Sequence, residues 1–194
     1  MVCNTASGHM AFFLFDFKDT GKQDARALLS SLIVQLSNQS DGFYDVLLHF
    51  YSDHKRGTQQ PSIRALTQCI EDMLRIPEAL PVYLIIDALD ECPNTTGIQS
   101  PRDEVLTLVE RFVKLNLPSL RLCVTSRPEA DIRTSLEALT STFNSVSLHD
   151  ECGQKKDIVD FVGSVVYSDK NMRRWREEDK QLVVKTLSDK ADGM

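Results

Sequence analysis

Three carboxylates, Asp87, Asp90 and Glu91, follow five consecutive apolar residues, Val82 to Ile86. An apolar strand that delivers an aspartate at its tip can anchor a magnesium ion. Magnesium keeps much of its octahedral water shell, so one rigidly placed carboxylate holds it through that shell. A second carboxylate nearby can orient or deprotonate an attacking water. Asp87 suits the first role, and Asp90 or Glu91 the second. A further apolar stretch, Leu120 to Thr125, ends in Ser126 and Arg127. A guanidinium at that tip carries a fixed positive charge that could sense a terminal phosphate. The plainer roles are a solvated turn for the three acids and an ordinary salt bridge for Arg127.

These groups need elements to position them. Met10 to Phe17 is aromatic and apolar and predicts a strand, ended by Asp19, Thr20 and Gly21. Asp16 and Asp19 suit turn carboxylates. Ala25, Leu28, Leu29, Leu32, Ile33 and Leu36 then recur at helical spacing. A second helix carries Phe43, Val46, Leu47, Phe50 and Tyr51. A third, capped by Ser62, carries Ile63, Leu66, Ile70, Met73 and Leu74. Val82 to Ile86 shows no alternation, which predicts a strand covered on both faces. Asn94 to Pro101 is a turn-rich loop, and Val105, Leu108, Val109, Phe112 and Val113 mark a fourth helix. Pro128 suits the first position of a helix after the Arg127 turn. A short strand over Ser145 to His149 brings His149, Asp150 and Glu151 to a tip, His149 reading as a surface residue. Two helices close the chain, one with Ile158, Phe161, Val162, Val165 and Val166, the other over Glu177 to Ala191. Strand and helix in alternation predict an α/β three-layer domain with a mostly parallel sheet, whose ligands gather at the carboxyl ends of the strands.

Composition narrows the chemistry. The 194 residues are 42% hydrophobic and carry a net charge of −6. An acidic chain has no general attraction for nucleic acid or anionic lipid, so neither nucleic acid nor membrane is expected as a partner. Lys170, Arg173, Arg174 and Arg176 around Trp175 read as a solvated helix entry with the tryptophan packed on the core. The five cysteines form no CxxC pair and the four histidines no HExxH, which disfavours zinc and disulfides and predicts reduced thiols in a cytoplasmic protein. Cys92 and Cys123 read as small buried fillers.

Val82 to Cys92, VYLIIDALDEC, resembles the extended Walker B element of NACHT nucleoside triphosphatases, in which a small residue follows the first aspartate. Leu122 to Ile132, LCVTSRPEADI, resembles their sensor 1 segment. The segment from Phe12 to Ser37 resembles the part after the phosphate loop in fungal NACHT proteins similar to the nephrocystin-3 N-terminal region. The resemblance implies a signal-transducing switch ATPase or GTPase. It assigns magnesium to Asp87 through water, water activation to Asp90 and Glu91, and nucleotide sensing to Arg127 with Ser126. It also implies homo-oligomers formed through the nucleotide-binding core, and repeat or effector modules in flanking sequence.

One element of the pattern is not found: no GxxxxGK[ST] occurs in the sequence. The family places that loop before the segment matched by Met10 to Phe17, where nine residues stand and a βα unit needs roughly 25 to 30. The expected fold is therefore a three-layer P-loop NTPase-like parallel sheet with the P-loop strand and helix missing. Residues 1–9 are expected to be irregular, 10–150 a partial NACHT core and 151–194 a helical segment. The family's sheet order, 5-1-4-3-2, would then lack strand 1. Magnesium with ATP or GTP belongs to the complete domain, and this chain alone is expected to bind neither tightly. Two rivals stay open: a degenerate partner-binding module without nucleotide, and an unrelated metal-dependent α/β enzyme.

Overall fold

A computed structural model describes residues 8–77, 80–95, 100–139, 146 and 152–190. The chain divides into two compact units, Met1–Leu139 and Thr140–Met194. The first holds β1 (His9–Leu14), α1 (Ala25–Ser37), α2 (Asp41–Asp53), α3 (Ile63–Leu74), β2 (Val82–Asp87), α4 (Pro101–Lys114), β3 (Leu120–Val124) and α5 (Ala130–Glu137). Its three strands are parallel, in the order β1-β2-β3. That is the order implied for strands 2, 3 and 4 of the resembling family.

The helices begin where polar caps meet apolar stripes. The side chains of Asp24, Ser40 and Ser62 accept backbone N–H groups at the starts of α1, α2 and α3. Ser100 and Asp103 form a reciprocal capping box on α4, with Pro101 in the first turn. All six stripe residues of α1 are buried, as are Leu66, Ile70, Met73 and Leu74 of α3 and Val105, Leu108, Val109 and Phe112 of α4. They pack against Ala11, Phe13, Val82, Leu84 and Ile86, which the register places on one face of the sheet.

The other face differs from the sequence expectation. Met10, Phe12 and Leu14 are exposed, Tyr83 is 38% exposed and Ile85 is half-buried. The unbroken apolar run of β2 therefore does not mean cover on both sides. Among the described residues of this unit the buried core lies on one face of the sheet. Cys123 also lies on the open face and is exposed, so it is not a core filler. Pro128 lies outside α5, because Glu129 is the N-cap and Ala130 the first helical residue.

The two sheet edges are managed differently. On β1, Met10 N–H donates to Gln39 Oε1 (2.8 Å), and Gln39 Nε2 donates back to the Met10 carbonyl (2.7 Å). Phe12 N–H and carbonyl pair likewise with Gln35 (3.1 and 2.7 Å). Gln35 near the end of α1 and Gln39 just past its C-cap thus cover that edge at Met10 and Phe12. On β3, the bonds Val82 N–H to Ser119 carbonyl and Thr125 N–H to Ile86 carbonyl fix which groups face β2. By strand alternation the N–H and carbonyl groups of Leu122 and Val124 point away. No strand among the described residues pairs with them. The strand expected over Ser145 to His149 lies outside the described residues, Val146 excepted.

Gly8 leads into β1 where the chain passes under Pro81. A Cβ there would stand 2.6 Å from the Pro81 carbonyl oxygen and 2.6 Å from the Tyr83 ring. Backbone cannot yield as a side chain does, so Gly8→Ala should destabilise the first unit by about 1–3 kcal/mol. Urea denaturation followed by circular dichroism measures this; an unchanged midpoint would contradict the packing described.

The second unit contains α6 (Cys152–Ser168) and α7 (Glu177–Lys190), which pack on each other. Tyr167 donates its hydroxyl to Glu177 Oε1 (2.6 Å), and Lys180 Nζ lies 5.4 Å from the Tyr167 ring centre. Trp175 is 44% exposed, not packed away as its sequence setting suggested. It follows a short turn, Met172–Arg174. No helix among the described residues is long and apolar enough to cross a membrane.

Candidate functional site

The tips of β2 and β3 are adjacent, because the two strands pair in parallel register from Val82↔Leu120 to Ile86↔Val124. Beyond Asp87 the chain turns sharply. Ala88 adopts the left-handed conformation, φ 53° and ψ 47°, and Leu89–Glu91 forms a single 3₁₀ turn. Leu89 is fully buried and anchors the turn in the core. Its N–H donates to the Thr125 carbonyl (3.0 Å), so the β2 loop is tied to the end of β3.

The left-handed position explains why a small residue follows Asp87. An L side chain there costs on the order of 1 kcal/mol, and a β-branched one more. Ala88→Gly should therefore stabilise the first unit by about 0.5–1 kcal/mol, and Ala88→Val should destabilise it. Thermal denaturation of both variants checks the sign; a destabilised glycine variant would contradict it.

Each predicted acid has a defined partner. Asp87 Oδ1 accepts from the Thr125 hydroxyl and from Ala88 N–H (3.1 Å). Its second oxygen has no hydrogen-bond partner among the described residues. Asp90, whose side chain is 10% exposed, accepts Arg127 N–H (3.0 Å) and faces Arg127 Nε at 3.5 Å. Glu91 Oε2 accepts Phe17 N–H (3.2 Å), joining the β2 loop to the end of the β1 segment. The Arg127 side chain is 74% exposed. Ser126 turns its hydroxyl to the Arg127 carbonyl (2.8 Å). Asp16 and Asp19 cap their own turns, at Lys18 N–H and Gly21 N–H. His149, Asp150 and Glu151 lie outside the described residues.

A polar cavity of about 380 Å³ opens at these tips, lined by Phe17, Gln23, Asp90, Glu91, Arg102 and Arg127 among others. Asp87 and Ser126 stand outside its lining. Cys92, also at its wall, is buried and lies 3.3 Å from the Gln23 carbonyl. Burial pushes its thiol up to about 12, with Arg102 opposing and Asp24 reinforcing the rise, so Cys92 is not a nucleophile near neutral pH.

Two residues that the sequence reading gave no role hold the site together. Thr125 bridges Asp87 and Ala88 across the two strands. Arg102, only 4% exposed, sits in the first turn of α4. It donates Nε to the Cys92 carbonyl (2.9 Å) and Nη2 to the Asp90 carbonyl (2.6 Å). Its Nη1 pairs with Glu129 and with Asp131 (3.3 Å). Burial works against its charge, while bonds to Glu129 and Asp131 outweigh that and hold the guanidinium above its ordinary range. The helix-start pattern Ser100-Pro101-Arg102-Asp103 is the available signal, since it fixes where Arg102 begins the helix.

Among the described residues no group of three or more His, Cys, Asp or Glu side chains could hold a metal ion directly. The donor set at the tip is one carboxylate oxygen of Asp87, which fits a hydrated magnesium and not a dehydrated one.

Residues 2–127 match the family described as Nephrocystin 3, N-terminal. The chain belongs to that family. The matched span runs from β1 through the acidic loop to Arg127, so both tips fall within it. The chain is also 30% identical over 140 residues to the vegetative incompatibility protein HET-E-1 of Podospora anserina. That alignment covers 71% of this chain and 10% of HET-E-1, so the chain spans about a tenth of its curated relative. No solved structure matches. The resemblance read from VYLIIDALDEC is thereby shown at the family level: this is a nephrocystin-3 N-terminal, NACHT-like domain.

Proposed function

We propose that this nephrocystin-3 N-terminal domain is the acid-and-sensor half of a NACHT-type switch nucleotidase. In this reading Asp87 holds hydrated magnesium and Arg127 faces the terminal phosphate. Glu91 orients the attacking water. Asp90, committed to Arg127, sets the sensor's position and shares the water-activating role to a lesser degree. The observation that carries the reading is the adjacency of the two tips, with Asp90 and Arg127 in contact. Magnesium, when bound, would neutralise phosphate charge; the chain's own residues position the water and read the phosphate.

The phosphate cradle is the part this chain does not carry. No GxxxxGK[ST] occurs in the sequence, and backbone N–H groups with a lysine supply much of the triphosphate binding in such proteins. The outer edge of β3 is where a further parallel strand would complete the sheet. Without that cradle, three carboxylates face a tetra-anionic nucleotide with Arg127 as the balancing cation. Alone, the chain is expected to bind ATP or GTP weakly and not to hydrolyse it. In a longer protein, homo-oligomers through the completed core and flanking repeat or effector modules follow from the same reading.

The rival reading, a partner-binding module that has lost nucleotide, is separated by the coding sequence upstream of Met1. An in-frame GxxxxGK[ST] ahead of β1 supports the nucleotidase. A transcript that begins at Met1, or an upstream frame without that loop, overturns it in favour of the module.

A further inference from the structure

We infer that Arg102 is the positioning residue of this site: its fork makes the acidic loop and the sensor loop one rigid body. The inference rests on the proposed nucleotide site for its purpose, and on the contacts above for its geometry. Two of the guanidinium's bonds go to carbonyls within the acidic loop, at Asp90 and Cys92, and two to carboxylates at the start of α5. The first pair fixes the backbone that aims Asp90 and Glu91. The second fixes the chain two and four residues beyond Arg127. Asn94 Nδ2 adds a bond to Asp131 Oδ2 (3.0 Å), closing the ring of contacts.

The chemistry requires arginine at this position. Its planar fork presents several donors in fixed directions, whereas a lysine offers a single ammonium. A lysine here could keep the charge toward Glu129 and Asp131, but it could not also reach both carbonyls. Those carbonyls, buried at Cys92 and partly buried at Asp90, would be left without a donor and would pull the loop from its present path. Asp90 would then lose its aim at Arg127 N–H, and Glu91 its hold on Phe17 N–H.

Amide hydrogen exchange by NMR on the 194-residue chain tests this without nucleotide. The Phe17 and Arg127 amides report the two carboxylate contacts, and those of Leu108 and Val109 report the core. Arg102→Lys and Arg102→Met should both accelerate exchange at Phe17 and Arg127 by about tenfold or more, with the core amides unchanged. Rescue by lysine would mean that charge alone matters and would overturn the proposal. Equal acceleration everywhere would reduce Arg102 to a general stabiliser, and unchanged exchange at the two reporters would remove its role. Should neither variant fold, Glu129→Ala with Asp131→Ala is measured the same way; it removes only the second pair of bonds, so acceleration is expected at Arg127, and its absence is decisive against. Exchange reads positioning whether or not nucleotide binds, so a failed nucleotide titration would sink the proposed function and leave this result standing.

Discussion

In a chain completed by a phosphate-loop unit from another family member, Asp87→Asn should weaken magnesium-nucleotide binding by about tenfold to a hundredfold. That corresponds to the ~1.5–3 kcal/mol that a hydrogen bond to a charged group contributes. Glu91→Gln in the same protein should leave binding intact and slow hydrolysis by roughly 10²–10⁴, the usual contribution of a general base. The two variants separate because the proposed function gives the two acids different tasks. Asp87 is held by Thr125 through one oxygen, and the proposal gives the other to a hydrated cation. Glu91 is tethered to Phe17 N–H beside the cavity. Fluorescent-nucleotide titration and single-turnover hydrolysis measure the two effects. Equal reductions for both variants, in both assays, would remove the division of roles.

The second large effect concerns stability. Glu71 on α3 is 3% exposed, yet it is a carboxylate. Its partners are Arg111 of α4, through an ion pair, and Arg75 at 3.2 Å. Removing one member of a buried pair costs about 3–5 kcal/mol when the remaining charge stays buried. Here both arginine side chains are nearly half exposed and can return to water, so the cost is discounted to about 2 kcal/mol. Glu71→Ala should therefore lower the melting temperature of the first unit by roughly 4–8 °C. Calorimetry decides it: a shift below about 1 °C would mean that the pair contributes nothing to the α3–α4 packing.

The sequence disclosed most where period and burial agree. The α1 stripe reads directly because Leu28, Leu29, Leu32 and Leu36 meet one core face. Ser62 announces α3 because a cap is a local interaction. The β2 run is less informative: Val82 to Ile86 is apolar throughout, yet Tyr83 and Ile85 lie on the open face. Hydrophobicity there does not report burial, so the number of layers is not legible in it. In the site, Asp87, Asp90, Glu91 and Arg127 are legible as strand-end residues. The ties that aim them are not. Thr125 reaches Asp87 across 38 residues, and Arg102 reaches Glu129 across 27. Such ties exist only once the parallel register of β2 and β3 has formed. Cys123 escapes the sequence for a related reason, since its face follows from that register and not from its apolar neighbours.

The fold brings the acids and the guanidinium of the two tips together, and the proposed function takes the cradle for a triphosphate from outside this sequence, which holds no GxxxxGK[ST]. Calorimetric titration of magnesium-ATP tests that claim most directly, run on the 194-residue chain and on the same chain fused behind a family phosphate-loop unit. For the chain alone, no binding tighter than about millimolar, ~4 kcal/mol, is expected. For the fusion the expected result is micromolar binding, about 8 kcal/mol, that Arg127→Ala weakens. Micromolar binding by the chain alone, or a folded fusion that binds no nucleotide, would contradict it.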